Sequence, residues 1–389
     1  MPSQASLPTR RTPDASKRRL GPLEASLWMG TSTAAWWRML HSHGGRVTPS
    51  QWLGAGVDGA FSLLHTMLRA AQHVPWHRAI ARRTVPVDPV FILGHWRSGT
   101  TLMHELLALD PAFRAPTTYE CFVPHHFLLS RRWITPWSRF VLPRSRPPDA
   151  MPVGWDRPQE DEFALCLRGA GSLYESIAFP RELQVPHPTL ELDHLPPQQL
   201  DRWRTTWYRF LRELLCAREG RLLLKSPTHT FRWQQLAEWF PRARFILMVR
   251  HPFATYASTI KLWDSLFHQH SYQPWPANPL DGCLSLESFV VKLHQRLLDR
   301  IEPLLDTLPD NRLRVVPFES FTKDPLTTLA ALYRSLDLGD FRQVRERIEA
   351  DLARRSGYRT DTYQLDEPTR CILRNEWRFA FEAFRYNED

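Results

Sequence analysis

From Pro89 onward the chain repeats one pattern, a short run of Val, Ile and Leu followed by a stretch with helical periodicity. The clearest runs are Val90–Leu93, Leu222–Leu224, Phe245–Val249 and Leu313–Val316. Short apolar runs rich in these residues read as buried strands. Strands alternating with helices build a parallel sheet, because each crossover lays a helix over one face. The sequence therefore predicts an α/β domain with a parallel sheet flanked by helices. A chain of 389 residues can bury such a core without disulfides or metals. With 43% hydrophobic and 23% charged residues, it is not a wholly disordered chain. Prolines number 33 against 16 glycines, which predicts many rigid loops. Residues 130–160 and 179–200, rich in Pro, Arg and Trp, read as walls or lids.

The region before Pro89 is written differently. Residues 1–22 are polar and basic and read as a disordered tail, 23–86 as a helical arm, and 87–389 as the α/β domain. Within the arm, Ser50 is placed to cap a helix in which Leu53, Val57, Leu64 and Leu68 keep a three-to-four spacing. An earlier pattern carries Trp28, Trp36, Trp37 and Leu40 among basic neighbours. One reading packs this arm on the main domain; the other lays it on a lipid surface, where Trp and Arg are at home. No run reaches the roughly 18 apolar residues of a spanning helix, and the N-terminus makes a poor signal peptide. Five cysteines with no CxxC pair suit reduced thiols, so a cytoplasmic protein is expected, with peripheral membrane contact through the arm as the further reading. Net charge is +9, which suits an anionic partner without choosing among nucleic acid, membrane and small molecule.

The most informative stretch is Gly94-His-Trp-Arg97-Ser98-Gly99-Thr100-Thr101, between the first strand and a helix whose apolar face is Leu102, Met103, Leu106 and Leu107. A loop that opens a helix aims several N–H groups at one spot, where the helix dipole is positive. Ser98, Gly99, Thr100 and Thr101 are thus candidates to cradle a phosphate or sulfate. The Gly94-to-Gly99 spacing is that of a Walker A loop, but Thr100 stands where the phosphate-binding Lys belongs, and the cation has moved to Arg97. A P-loop kinase or NTPase is therefore the weaker alternative. A second site has the same form: the strand Phe245–Val249, then Arg250, then Pro252 opening a helix that carries Ser258 two turns on. In an open parallel sheet both loops fall on one edge, where ligands bind. Two anion sites without an HExxH motif point to a phosphorylated ligand and no metal.

Arg97-Ser-Gly-Thr-Thr101 after a strand resembles the 5′-phosphosulfate loop of sulfotransferases that use 3′-phosphoadenosine 5′-phosphosulfate. The preceding Gly-His-Trp looks like a bacterial-type branch, since cytosolic and tyrosyl-protein relatives usually have Pro before the Arg. Arg250 and Ser258 match the family's 3′-phosphate site, and Val315–Pro325 resembles its closing strand and helix, so the resemblance spans about residues 88–340. It implies a P-loop NTPase-like fold and transfer of a sulfuryl group to a hydroxyl or amine of a small-molecule, lipid or carbohydrate acceptor, with no nucleic-acid partner. A non-catalytic peripheral membrane protein is the other alternative.

Such chemistry needs cations for the leaving phosphate and a base for the acceptor proton. Arg97 is one cation, and Lys225 in Leu222-Leu-Leu-Lys225-Ser226-Pro227 is the second, at the end of a strand where the family has a Lys-Ser/Thr segment. Glu120 is the first choice of base, because related sulfotransferases carry their catalytic Glu in the matching segment. His229, four residues after Lys225, competes for the role; His125 and His126 are weaker candidates. Glu160-Asp161-Glu162 opens a further helix, and either satisfies its N-terminus or helps orient the acceptor.

Overall fold

The computed structural model describes residues 26–138, 154–276, 278–355 and 364–387. The basic tail expected over residues 1–22, and the middle of the 130–160 segment, lie outside the described residues. Five parallel strands form one sheet: β1 (Val90–Gly94), β2 (Phe113–Arg114), β3 (Arg221–Lys225), β4 (Arg244–Val249) and β5 (Leu313–Pro317). Their order is β2-β3-β1-β4-β5, so β1 is central with β3 and β4 on either side. All four expected strands are present. The two-residue β2, too short to leave a pattern in the sequence, pairs with the start of β3.

Two cores follow from strand alternation. Val90, Ile92, Leu223, Ile246 and Met248 point to one face, where they meet Met103, Leu106 and Leu107. Phe91, Leu93, Leu222, Leu224, Phe245 and Leu247 point to the other and larger core. Because both faces are covered, every residue of β1 is buried, which is why these strands read as unbroken apolar runs.

The helices in chain order begin with α1 (Thr33–Ser42) and α2 (Trp52–Arg82) in the arm. They continue as α3 (Thr100–Leu107), α4 (Thr118–Phe122), α5 (Phe127–Ser138), α6 (Asp161–Leu167) and α7 (Pro197–Ala217). Further on come α8 (Trp233–Trp239), α9 (Pro252–His270), α10 (Leu286–Thr307) and α11 (Phe318–Lys323). The arm is anchored on the larger core through Trp28, Trp36 and Met39, and the Trp28 indole donates to the His270 carbonyl at 2.8 Å. Two expectations for the arm are corrected. Ser50 lies in a 3-10 turn and does not cap α2, whose N-cap position is Gln51. Leu53 and Leu64, whose spacing fits a packed or a lipid-facing stripe alike, are exposed, which the packed reading does not expect.

Candidate active site

The candidate phosphate loop is shaped by glycines at positions where no other residue fits. Gly94 has φ +134°, and a Cβ there would lie 2.4 Å from the Met248 carbonyl oxygen. Gly99 has φ +92°, and its Cβ would lie 2.3 Å from the Phe318 ring. The loop is tied to its surroundings: the Thr230 hydroxyl accepts from the Gly94 N–H at 2.8 Å, and the Ser98 hydroxyl donates to the His95 carbonyl at 2.7 Å. Arg97 takes a left-handed backbone with φ 70°, which costs a non-glycine residue on the order of 1–3 kcal/mol and is typical of functional loops. Beyond Gly99 starts α3, whose first N–H groups, from Thr100 and Thr101, have no acceptor inside the helix.

The second anion segment meets this loop directly. The Arg97 Nε donates to the Ser258 hydroxyl at 2.8 Å, and the Arg250 guanidinium donates to the Arg97 carbonyl at 2.9 Å. Arg250 also lies over the Phe318 ring, 4.6 Å from its centroid. Phe318 thus underlies Gly99 and Arg250 together, a role that the sequence reading did not assign. These residues, about 150 positions apart, come together because β1 and β4 are neighbours with Gly94 opposite Met248.

On the other side of β1, Lys225 ends β3, opposite Ile92. Its side chain is only 2% exposed, and its ammonium donates to Glu160 at 2.7 Å and to the Thr101 hydroxyl at 3.4 Å. Glu160 is the N-cap residue of α6, and its second oxygen accepts from the Tyr174 hydroxyl. The Tyr174 oxygen in turn accepts from the Trp96 indole at 3.1 Å. Burial, with Glu160 beside it, holds the Tyr174 phenol well above its usual pKa, so it stays a donor. A closed ring therefore runs from Trp96 of the loop through Tyr174, Glu160 and Lys225 back to Thr101. This explains Trp96 in the bacterial-type pattern: its indole fixes the tyrosine that holds the carboxylate.

The two bases proposed from the sequence, Glu120 and His229, are placed differently. Glu120, expected at the mouth of the site, has no exposed surface. One oxygen is held by Arg114 at 2.6 Å and Arg131 at 2.8 Å, and the other accepts from the Thr117 N–H at 2.9 Å in a capping box. The signal was legible: Thr117-Thr-Tyr-Glu120 is the S/T-x-x-E pattern of a helix start. His229 is also wholly buried, with its Nε2 on Asp161 at 2.9 Å and its ring against Phe91 and Trp207. Asp161 accepts from the Trp207 indole as well, and Glu162 is clamped by Arg232 at 2.7 Å. Of the three acids opening α6, two knit the core, while Glu160 faces Lys225 and keeps 13% of its side chain exposed. His125 and His126 are buried and far below the usual imidazole pKa because of burial, His126 at about 3, so both are neutral. Trp263 and Phe267 belong to the core.

A parallel sheet whose central strand opens through a glycine loop into a helix, with a strand-end lysine on one side and an Arg-Ser segment on the other, has a P-loop-like α/β fold. The sequence model of the Sulfotransferase family matches residues 89–342, and the chain belongs to that family. It is 36% identical over 363 residues, 93% of this chain and 92% of the relative, to the omega-hydroxy-beta-dihydromenaquinone-9 sulfotransferase Stf3 of Mycobacterium bovis. The protein of the same name from Mycobacterium tuberculosis matches equally. Among solved structures, sulfotransferase STF9 from Mycobacterium avium is similar with a TM-score of 0.68 at 19% identity, covering 92% of this chain and 97% of that one. Sulfotransferase STF1 from Mycobacterium tuberculosis follows with a TM-score of 0.57, also at 19% identity, covering 90% and 93%. The enzyme is a sulfotransferase, and among its described residues no helix is long and apolar enough to cross a membrane.

Proposed function

We propose that this sulfotransferase takes its sulfuryl group from 3′-phosphoadenosine 5′-phosphosulfate and passes it to a hydroxyl on an apolar, lipid-like acceptor. The observation that carries the reading is the convergence of two groups of side chains on one loop: Arg97, Arg250 and Ser258 at one end, Lys225 and Glu160 at the other. In this reading Ser98, Gly99, Thr100 and Thr101 hold the 5′ end of the donor with backbone N–H groups and hydroxyls, and Arg250 with Ser258 takes the 3′-phosphate. Arg97 and Lys225 meet charge on the leaving phosphate.

Glu160 is the base in this reading, replacing Glu120 and His229. The acceptor oxygen forms its bond to sulfur as the bond from sulfur to the 5′-phosphate oxygen breaks. The hydroxyl proton goes to Glu160, and the electron pair leaves with the 3′,5′-bisphosphate. The Lys225–Glu160 contact couples the two events: a carboxylate that has gained a proton no longer holds the ammonium, which is then free to follow the charge onto the leaving oxygen. Glu120 is less suited because it has no exposed surface and is held by two guanidiniums, and His229 because it is wholly buried, whereas Glu160 keeps part of its side chain exposed.

The apolar acceptor is favoured by two observations. Phe163 packs at a tilt against Tyr174 with centroids 4.7 Å apart, and Phe122 likewise against Phe163 at 4.9 Å, so the half-buried Phe122 and Phe163 rings lie near the carboxylate. The Stf3 relatives are named for a hydroxylated dihydromenaquinone. We place the reaction in the cytoplasm, in keeping with five unpaired cysteines, two of them buried. Calorimetric titration with 3′-phosphoadenosine 5′-phosphate, without metal, tests the donor. Tight binding there and none of ATP with Mg²⁺ is expected, and the reverse order would return the chain to the kinases and NTPases.

A further inference from the structure

The long helix of the arm is built inside out. The side chains that α2 turns toward the protein are mostly polar: Asp58, Ser62, His65 and Gln72 are buried along with Ala55 and Ile80. Each polar one is satisfied. Asp58 accepts from the Ser26 hydroxyl at 2.7 Å and the Tyr272 hydroxyl at 2.5 Å. The Ser62 hydroxyl donates to the Gly59 carbonyl at 2.7 Å, and His65 shares a hydrogen bond with His126 at 2.8 Å. Gln72 donates to the His125 carbonyl and accepts from the Leu129 N–H.

The opposite side is apolar and open. Trp52 is 65% exposed, Leu53 65%, Leu63 56%, Leu64 47%, Met67 63% and Val74 74%. At about 100° per residue all six fall within an arc of roughly 120°. Arg78 and Arg82, both exposed, continue the same arc at the C-terminal end of the helix. Monomeric proteins rarely leave a contiguous stripe of this kind in water without a partner for it.

Charge identifies the partner. Residues 26–87 hold six arginines and a single acid, Asp58. That one acid is 3% exposed and bonded to Tyr272. The face therefore presents hydrocarbon and arginine with no carboxylate among them, the complement of an anionic headgroup layer over acyl chains. No described helix is apolar enough to cross that layer, which leaves lying along it.

We propose that the outer face of α2 docks the enzyme on an anionic lipid surface, with Trp52 to Val74 in the interface and Arg78 and Arg82 on the headgroups. The inner face links this dock to the site. Gln72 holds the chain just beyond α4, α4 packs on α6, and Glu160 is the N-cap residue of α6. Docking thus sets the catalytic edge at a fixed height over a membrane, where a lipid acceptor presents its polar end. This deepens the lipid-acceptor reading, yet vesicle binding needs neither donor nor acceptor, so the two readings fail separately.

The test is co-sedimentation of the full chain with vesicles of phosphatidylcholine alone and of phosphatidylcholine mixed with phosphatidylglycerol. Binding to the anionic vesicles is expected to exceed binding to the neutral ones. Leu64→Glu/Met67→Glu is expected to weaken it ~100-fold, and Arg78→Gln/Arg82→Gln roughly 30-fold. Circular dichroism and binding of 3′-phosphoadenosine 5′-phosphate should match the parent protein in both variants, which separates loss of docking from loss of fold. Wild-type protein that stays in the supernatant with anionic vesicles would overturn the proposal, as would variants that pellet like the parent. A dimer that Leu64→Glu/Met67→Glu dissociates, with no vesicle binding, would assign the stripe to a second copy instead.

Discussion

The helix behind the phosphate loop and the long helix of the arm are wound on the same periodicity and used in opposite senses. Helix α3 buries Met103, Leu106 and Leu107 and opens at Gly99 with first-turn N–H groups that have no acceptor inside the helix. Helix α2 buries Asp58, Ser62, His65 and Gln72 and shows Leu63, Met67 and Val74 to the outside. The difference teaches that an apolar stripe locates a helix but does not say which side the protein covers. In α3 the stripe contributes to the core. In α2 the contribution comes from satisfied polar contacts, and the stripe is left for something else.

The comparison breaks most visibly at the catalytic edge. Glu160→Gln is expected to lower kcat by ~10³-fold with little change in bisphosphate binding, since a positioned base contributes about 10²–10⁴-fold. A Glu160→Gln enzyme that turns over normally would remove Glu160 from the mechanism. Glu120→Gln should do the converse. It leaves Arg114 without its carboxylate, so a loss of about 3–5 kcal/mol in urea-melt stability is expected, with kcat of the folded fraction kept. A selective fall in kcat would restore Glu120 as the base.

Acid should act on the arm and the loop alike through histidines held neutral by burial. His65 and His95 are pushed down to about 4, and His104 to about 3 by burial and then by Lys225. Their folded pKa values lie below the unfolded 6.5, so the unfolded chain binds protons first as the pH falls. The stability they contribute is full above pH 6.5 and is lost between there and about pH 4 for His65 and His95, at roughly 3 kcal/mol each, and on down to about pH 3 for His104. Urea melts at pH 7.5 and pH 5 should differ accordingly, and His65→Gln should flatten the slope; equal midpoints would contradict the assignment.

A smaller effect is expected at the loop itself. Gly99→Ala meets both a left-handed backbone and the Phe318 ring, so a loss of about 2 kcal/mol and weaker bisphosphate binding are expected by calorimetry. The smallest effect belongs to the outer face of α2. Leu63→Gln and Val74→Ser should change thermal stability by less than about 0.5 kcal/mol, because these side chains touch little. A large loss there would mean that the stripe is part of the core after all.

Much of this molecule is written locally. Strands β1, β3 and β4 are readable because burial on both faces leaves no polar alternation to confuse with a helix. The loop is readable because Gly94 and Gly99 serve backbone conformations that other residues cannot adopt. Arg250 and Ser258 follow from strand, basic residue and helix start in sequence order, and the pairing of β1 with β4 carries them to Arg97. What the chain alone could not decide is which of several identical carboxylates meets Lys225. Glu120, Glu160 and Glu162 differ by their partners, and those partners, Arg114, Tyr174 and Arg232, are side chains chosen by packing. The direction in which α2 faces has the same origin. Its spacing is a property of one segment, whereas burial depends on Tyr272 and His126, which only the folded chain brings beside Asp58 and His65.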